Sequence, residues 1–337
     1  MKPFHKRAVI VGALVLTIVT GGAVTYAVVS HEEDPGCGNL LGEKPVQRIL
    51  GSEHRTDMSC ADLGEALRRA ATGPVAGQHT LAQAQNMHDT IMVINEDIQQ
   101  RRQPTIAEGL RGPITKALAD YAGDSFEMLT AINPDYNHRR DSGPWREGAV
   151  VRMPVPLGDL VRVMRAASDA PSAYATLRAA QTRECADGLG ALPAKVTDTE
   201  FRGPARDCAA GLGRFDAIAD DLPENKRQDW QKAVLAQLAD TAPKAPPASY
   251  GDDPAEHIMR TWQQGFTGAD PDESAFMDDD ISRLIDIWVK GRGEDPRSGR
   301  VKLLRAKAAG DASGTAGDTA AALTCTRHPH GSSCPLL

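Results

Sequence analysis

Residue types that bind zinc occur together near the C-terminus of the chain. Cys325, His328, His330 and Cys334 fall within ten residues. Structural zinc sites spread their ligands over separate elements, so four ligands this close in sequence are too crowded for that arrangement. The uncharged segment of residues 8–29 indicates that the chain is exported, and a cysteine pair on an exported chain is more often oxidised than bound to metal. We therefore predict a small disulfide loop, Cys325–Cys334, with zinc as the alternative, and we expect no metal site and no cofactor in this chain.

Other charged segments match no catalytic pattern. Asp270 and Asp272 begin a stretch with calcium-loop spacing, but its sixth position is Ala275 instead of glycine and its twelfth is Ile281 instead of glutamate. His257 follows a glutamate but lacks the second histidine of a zinc-hydrolase helix. No nucleophile elbow, phosphate-binding loop or dinucleotide fingerprint is present. The sequence thus predicts no catalytic residue, although an assembly of distant residues in the fold stays open.

All six cysteines follow residue 30, and their spacing suggests how they pair. Two segments, 37–60 and 185–208, share the pattern Cys-x3-Leu-Gly-x2-Pro-x14-Cys-Ala, and each pair of cysteines encloses 22 residues. An even number of cysteines on an exported chain is typical of disulfides. The predicted bridges are therefore Cys37–Cys60, Cys185–Cys208 and Cys325–Cys334. The matching spacing also suggests a weak internal repeat, and coincidence in a Gly/Ala-rich sequence is the alternative.

The prediction of export rests on residues 8–29, which contain no charged side chain. At about 1.5 Å per residue, a helix of this length spans the ~30 Å hydrocarbon layer of a membrane. Lys2, Lys6 and Arg7 precede the segment, and three acidic residues follow it. This asymmetry predicts a cytoplasmic arm, residues 1–7, and an extracellular body at the cytoplasmic membrane. A cleaved signal peptide is the competing interpretation, but its apolar region is usually shorter.

Composition limits the classes of fold and partner. The chain has 337 residues, of which 4% are aromatic, and its net charge is −7. An Ala-rich sequence with few aromatic residues and few β-branched runs favours helices. An acidic surface repels nucleic acid, so no nucleic-acid partner is expected. We predict a mainly α-helical body with several helices, stapled by disulfides and preceded by one membrane span.

Helix-capping residues, apolar spacing and changes in composition divide this predicted body into segments. Ser59 and Asp253 are predicted helix caps, and the clearest helix covers residues 80–102, where apolar residues recur at helical spacing. The Asn-His-Arg-Arg-Asp-Ser-Gly-Pro stretch is expected to be an exposed loop. Beyond residue 310 the composition falls to small and polar residues, which predicts a chain unable to fold. The predicted segments are a tether with the first disulfide loop (30–57), helical region 1 (58–184), helical region 2 (185–309) and a flexible tail (310–337).

One stretch suggests a wall-binding module. Residues 145–156 are the best strand candidate, although two prolines mark them as an edge strand or an extended link. Together with Asn133-Pro134 and the helix before it, this stretch resembles the later part of a LysM domain, which implies binding to cell-wall glycan. The opening strand of such a domain is missing, because the residues upstream have a helical pattern.

A second resemblance covers residues 86–182. This part of the chain resembles uncharacterised helical proteins of actinobacteria that are associated with WXG-type secretion and polymorphic toxins. The resemblance implies helix-packing positions and no known reaction. The residues that carry it are Leu110, Pro113, Ala119, Asp120, Tyr121, Asp124, Leu160 to Val163, Asp169, Ala173, Tyr174, Leu177, Ala180 and Gln181.

These observations lead to two functional expectations. The first is a membrane-anchored extracytoplasmic protein that binds another envelope or secreted protein without catalysis. The second is a glycan-binding or wall-modifying enzyme, or a component of a toxin–immunity system. A pocket with paired carboxylates would favour the second expectation, and a broad apolar groove would favour the first.

Overall fold

The computed structural model describes residues 36–131, 133–140, 142–193, 195–267 and 280–327. Fourteen helices and one two-stranded hairpin form within these ranges, which confirms the prediction of a mainly α-helical body. The helices are α1 (Gly38–Gly42), α2 (Lys44–Leu50), α3 (Cys60–Ala71), α4 (Leu81–Arg101), α5 (Glu108–Asp120), α6 (Ala122–Thr130), α7 (Pro134–Arg139), α8 (Leu157–Ala167), α9 (Pro171–Gly190), α10 (Asp198–Asp220), α11 (Glu224–Thr241), α12 (Pro254–Gln264), α13 (Asp280–Gly291) and α14 (Gly299–Arg327).

The predicted arm and membrane span, residues 1–29, lie outside the described ranges. None of the described helices has both the length and the apolar character needed to cross a membrane. The described residues cluster into one compact unit, which contains the described parts of both predicted helical regions.

Helix starts follow the capping signals of the sequence. The Ser59 hydroxyl accepts a hydrogen bond from the Asp62 backbone N–H at 3.1 Å. Thr80 and Gln83 form a reciprocal capping box at the start of α4. The Asp253 carboxylate caps α12 in the same way as Ser59 caps α3. These side chains satisfy N–H groups that have no partner inside the helix, so the predicted caps are confirmed.

Apolar residues at helical spacing place α4 in the core. Met87, Ile91, Ile94 and Ile98 are fully buried. Leu81, which the periodicity assigns to the same stripe, is 40% exposed because it is the first residue of the helix. The buried stripe therefore begins about one turn later than the sequence pattern suggests.

Two tyrosines anchor the interior by their hydroxyl groups. Tyr121 is 1% exposed and donates a hydrogen bond to the Ala71 carbonyl at 2.8 Å. Tyr174 is fully buried and donates to the Phe215 carbonyl at 3.2 Å. Buried aromatic side chains with a satisfied polar tip are typical of a packed core. Both tyrosines belong to the resemblance of residues 86–182, which implied helix-packing positions, and both lie in the core.

The C-terminal part of the chain differs from the prediction of a flexible tail. Residues 299–327 form α14, which packs along α10. Ala312, Thr319 and Leu323 are buried. A Cβ atom at Gly213 of α10 would lie 2.2 Å from the Ala312 carbonyl oxygen, so the two backbones approach closely. Small residues allow this approach, and residues 310–327 therefore fold with Leu323 as the one large apolar residue of their sequence.

The region between α6 and α8 also differs in part from its prediction. A short helix, α7, begins after its N-cap Asn133 and includes residues 137–139, the first three of the expected loop. The strand candidate forms a hairpin of β1 (Trp145–Glu147) and β2 (Val150–Arg152), paired antiparallel. Gly148 in the turn has φ +60°, a conformation that glycine adopts at low cost. The extended segment is therefore paired with itself, and it lies against the core through Val151, which is buried.

Candidate functional site

The only predicted site residues are cysteines, and the structure bonds the first pair as predicted. Cys37 and Cys60 form a disulfide with a Cα–Cα distance of 5.5 Å. Cys325 is also disulfide-bonded, and its predicted partner Cys334 lies outside the described residues. His328 and His330 lie outside them too. Within the described ranges no group of three or more potential ligands could hold a metal ion.

Cys185 and Cys208 are brought together but not bonded. Both thiols are buried, and the two side chains are hydrogen-bonded to each other. Burial, more than this contact, raises the pKa of the Cys185 thiol. The aligned segments differ in local structure, because Cys37 and Cys60 lie at helix starts whereas Cys185 and Cys208 lie inside α9 and α10. A bond between Cys185 and Cys208 stays a prediction.

A polar cleft of about 420 Å³ lies where α5, α6, β2 and α9 meet. We call it the carboxylate cleft, because Asp120, Asp124 and Glu184 line it. Arg152 and Arg183 line it as well. Clefts of this size that gather several polar groups are typical of binding sites for small ligands or single side chains.

Asp124 ties the cleft to the hairpin. Its side chain is buried, its Oδ1 accepts a hydrogen bond from the Tyr136 hydroxyl, and Arg152 Nη1 lies 3.9 Å from the same oxygen. Burial raises the pKa of the Asp124 carboxyl to about 6, although the Tyr136 hydrogen bond and the Arg152 charge oppose that rise. Asp124 is thus held in place by its neighbours and has little capacity left for a ligand.

Glu184 is the carboxyl group with the least compensation. Burial raises its pKa to about 7, and the negative charges of Asp187 and Asp124 add to the rise. It has no hydrogen bond and no ion pair with any other residue in the described part of the chain. A Cβ atom at Gly123 would lie 3.8 Å from Glu184 Oε2, so the missing side chain at this position leaves room beside the carboxyl group.

Both arginines of the cleft already have acidic partners. Arg152 Nε donates to Glu147 Oε2 at 2.8 Å. Arg183 Nη2 lies 2.7 Å from Glu256 Oε2. Both arginines are therefore paired within the protein, whereas Glu184 has no ion pair with a described residue.

His79 closes one end of the cleft without adding charge. Its ring stacks on Tyr121 with 3.7 Å between centroids, and its side chain is 2% exposed. Burial lowers the pKa of the imidazole, although Asp120, whose Oδ2 lies 3.6 Å from Nδ1, opposes the shift. A histidine with a lowered pKa is neutral near pH 7, so the carboxylate cleft has a net negative charge there.

A second cleft of about 600 Å³ runs along α4 and is lined by His88, Asp89 and Asp159. His88 Nδ1 and Asp89 Oδ1 are 3.0 Å apart, and Arg48 pairs with Asp89. Asp159 is paired with Arg162. The carboxylates of this cleft therefore have partners inside the protein. We accordingly treat the carboxylate cleft as the candidate functional site.

Sequence motifs do not reveal this site, because Asp124 and Glu184 are 60 residues apart and join only when α6 packs against α9. One signal was available: Asp120, Tyr121, Asp124 and Ala180, which carry the secretion-associated resemblance, all line the cleft. The comparisons with known proteins add no assignment. No protein-family model matches this sequence, and no curated protein or solved structure matches it either.

Proposed function

We propose that this chain is a membrane-anchored, extracytoplasmic helical binding protein whose carboxylate cleft receives a basic group of another envelope or secreted protein. The observation that carries the proposal is Glu184, a carboxyl group with no hydrogen bond or ion pair to a described residue, in a cleft whose arginines are both paired with other acidic residues. A lysine, arginine or amino group of the partner would supply the missing positive charge. The expected secretion-associated role belongs to the same proposal.

Charge complementarity gives the cleft its preference. Asp120, Asp124 and Glu184 exceed the free positive charge of the cleft, and the whole chain has a net charge of −7. A cation that approaches this surface is attracted at long range and then pairs with Glu184 at short range. Because partly buried pairs are screened less than exposed ones, this contact would discriminate strongly between basic and acidic partners.

The proposed location, at the membrane and outside the cytoplasm, is supported by the sequence and by one disulfide bond. The uncharged segment of residues 8–29 has basic residues before it and acidic residues after it. The Cys37–Cys60 disulfide is the kind of bond that persists outside the cytoplasm.

Titration of the purified full chain in detergent with a short lysine-containing peptide tests the proposal. We expect binding at pH 8 and much weaker binding at pH 5.5, because each pH unit below the pKa lowers the ionised fraction of a carboxyl group about tenfold. Glu184→Gln should weaken the binding at pH 8 to a similar extent. The matched control Asp57→Asn changes a carboxylate that is 86% exposed and should bind normally.

Binding that is unchanged in Glu184→Gln, or equal affinity for an acidic peptide of the same length, would refute the proposal. If Glu184→Gln does weaken the binding, membrane pull-downs with the wild-type chain and with Glu184→Gln would identify the partner as a protein that only the wild type retains.

A second candidate function is acid–base hydrolysis of cell-wall glycan. It is favoured by the pKa of about 7 for Glu184, since a general acid must hold its proton near neutral pH, and by β2 residues Val150 to Arg152 in the cleft wall. The test is the clearing of purified cell walls by the full chain. Activity that Glu184→Gln abolishes at unchanged stability would replace the binding proposal, whereas no clearing at any pH would exclude this candidate.

A further inference from the structure

A basic segment interrupts the acidic surface of the molecule at the start of α14. Residues 296–310 contain five basic residues and no acidic one, although the whole chain has a net charge of −7. Arg300 and Arg305 are used within the protein, by ion pairs to Asp198 and Asp286. The other three basic residues, Arg297, Lys302 and Lys307, are exposed.

The first turns of α14 are amphipathic. Val301 and Leu304 are buried against the body. Leu303, between the lysines, is 56% exposed, more than any other large hydrophobic side chain in the part of the chain that the structure describes. Lys302 and Lys307 make no ion pair with another described residue. An apolar side chain framed by unpaired lysines suits the boundary between phosphate groups and hydrocarbon.

Helix α10 extends the basic surface. Arg202 and Arg206 are exposed on α10, although Arg206 Nε also lies 3.7 Å from Asp207 Oδ1, and both arginines line a shallow groove that they share with Leu303 and Lys307. Two acidic residues also line this groove: Asp198, which is paired with Arg300, and Asp311 at its far end. The groove measures only about 70 Å³, which is too small to enclose a peptide segment. A flat, anionic surface fits it better than an inserted ligand does.

We propose that this basic surface, formed by Arg202, Arg206, Lys302, Leu303 and Lys307, rests on the anionic lipid headgroups of the membrane. The proposal rests on the membrane location proposed above. Each basic residue close to an anionic bilayer increases the affinity of the protein for that bilayer by about fivefold. A partly inserted leucine adds apolar burial. Because the whole chain has a net charge of −7 and is repelled by the same lipids, this contact would favour one orientation of the body.

The test uses the full chain reconstituted in vesicles of phosphatidylcholine, with or without about a third of phosphatidylglycerol, an anionic lipid. Lysine acylation followed by mass spectrometry measures how fast Lys302 and Lys307 react. Lys244, exposed in the segment after α11, serves as the internal control. We expect Lys302 and Lys307 to react several-fold more slowly in the anionic vesicles only, and high salt to remove the difference, because it screens exposed charges. Arg202→Glu should reduce the protection, whereas Lys44→Glu, which changes another exposed basic residue, should not.

Other outcomes overturn the proposal. Equal acylation in both vesicle types would mean that the surface does not contact lipid. Equal protection by soluble polyglutamate in phosphatidylcholine vesicles would identify an acidic protein as the occupant. Flotation with phosphatidylcholine vesicles reports the membrane anchor separately, so a failure of the anchor and a failure of this surface give different results.

Discussion

Asp124 and Glu184 line the same cleft but differ in what compensates their burial. Asp124 accepts the Tyr136 hydrogen bond and lies near Arg152, and its pKa is about 6. Glu184 has no hydrogen bond to a described residue, and its pKa is about 7, because burial and the nearby acidic residues outweigh the opposing charge of Arg183. Burial penalises the charged form of a carboxyl group, and only a donor or a cation offsets that penalty. A positively charged group of a ligand would therefore stabilise the ionised form of Glu184.

These raised values predict that the protein becomes less stable as the pH rises from 5 to 7.5. Unfolded carboxyl groups titrate near pH 4, whereas Asp124, Asp207 and Glu184 titrate at about 6, 6 and 7 in the native state. In this window the three carboxyl groups bind more protons in the native state than in the unfolded state, and they outnumber His79, whose lowered pKa acts in the opposite direction, so the free energy of unfolding falls as the pH rises. Each group contributes at most about 1.4 kcal/mol per pH unit.

Urea denaturation at several pH values measures this slope. Glu184→Gln should make it shallower, since the amide does not titrate, and Asp57→Asn should leave it unchanged. A slope that is identical in Glu184→Gln and the wild type would contradict the raised pKa of Glu184.

The Tyr121 hydroxyl group is the sole side-chain donor that the structure shows on the Ala71 carbonyl among the described residues. Tyr121→Phe should lower the free energy of unfolding by about 1–3 kcal/mol, because a buried acceptor loses its partner. Tyr121→Ala should cost about 3–5 kcal/mol, because it also leaves a cavity. Urea denaturation measures both, and equal losses in the two variants would show that the hydrogen bond, not packing, dominates.

At the scale of elements, the contact between α10 and α14 depends on small side chains. Thr315 Oγ1 donates to the Ala210 carbonyl at 3.2 Å, and Arg214 Nη1 donates to Thr319 Oγ1 at 2.9 Å. The two helices run in the same direction, since α10 residues 198 to 214 meet α14 residues 300 to 319 in order. Close backbones with polar contacts replace the large apolar stripe that usually joins two helices.

A pair of glycine substitutions tests this packing. Gly213→Ala should destabilise the protein and expose α14 to protease, because the new Cβ would meet the Ala312 oxygen at 2.2 Å. Gly314→Ala, in α14 itself, has nothing within 4 Å and should stabilise by about 0.5–1 kcal/mol, since alanine favours helix over glycine. Urea denaturation with limited proteolysis measures both. Two substitutions with the same effect would show that α14 does not pack closely on α10.

At the scale of the whole molecule, a disulfide determines how the first two helices of the body are held. The Cys37–Cys60 bond fixes α1 and α2 against the start of α3, and the bonded residues are 23 positions apart in sequence. Closing a loop of this length stabilises by about 3 kcal/mol on the chain-entropy model. Cys185 and Cys208 hold α9 against α10 as buried thiols in the same body.

Peptide mapping of the protein isolated from membranes tests the cysteine pairing and the span together. We expect sequential bonds Cys37–Cys60, Cys185–Cys208 and Cys325–Cys334, no alkylation of Cys185 or Cys208 in denaturant without reductant, and the presence of residues 1–29. Alkylation of both central cysteines under those conditions would show that they stay thiols in the cell. A mature N-terminus near residue 31 would show that the span is a cleaved signal.

Local signals in the sequence determined the helix starts at Ser59, Thr80 and Asp253, because a cap needs only residues within one turn. The apolar spacing of α4 likewise predicted its buried face. The tertiary structure alone decided that residues 310–327 fold, since their small side chains become useful only when α10 brings Gly213 close. It also decided the carboxylate cleft, because the pKa of Glu184 depends on burial and on charges from distant segments, and no spacing along the chain encodes either.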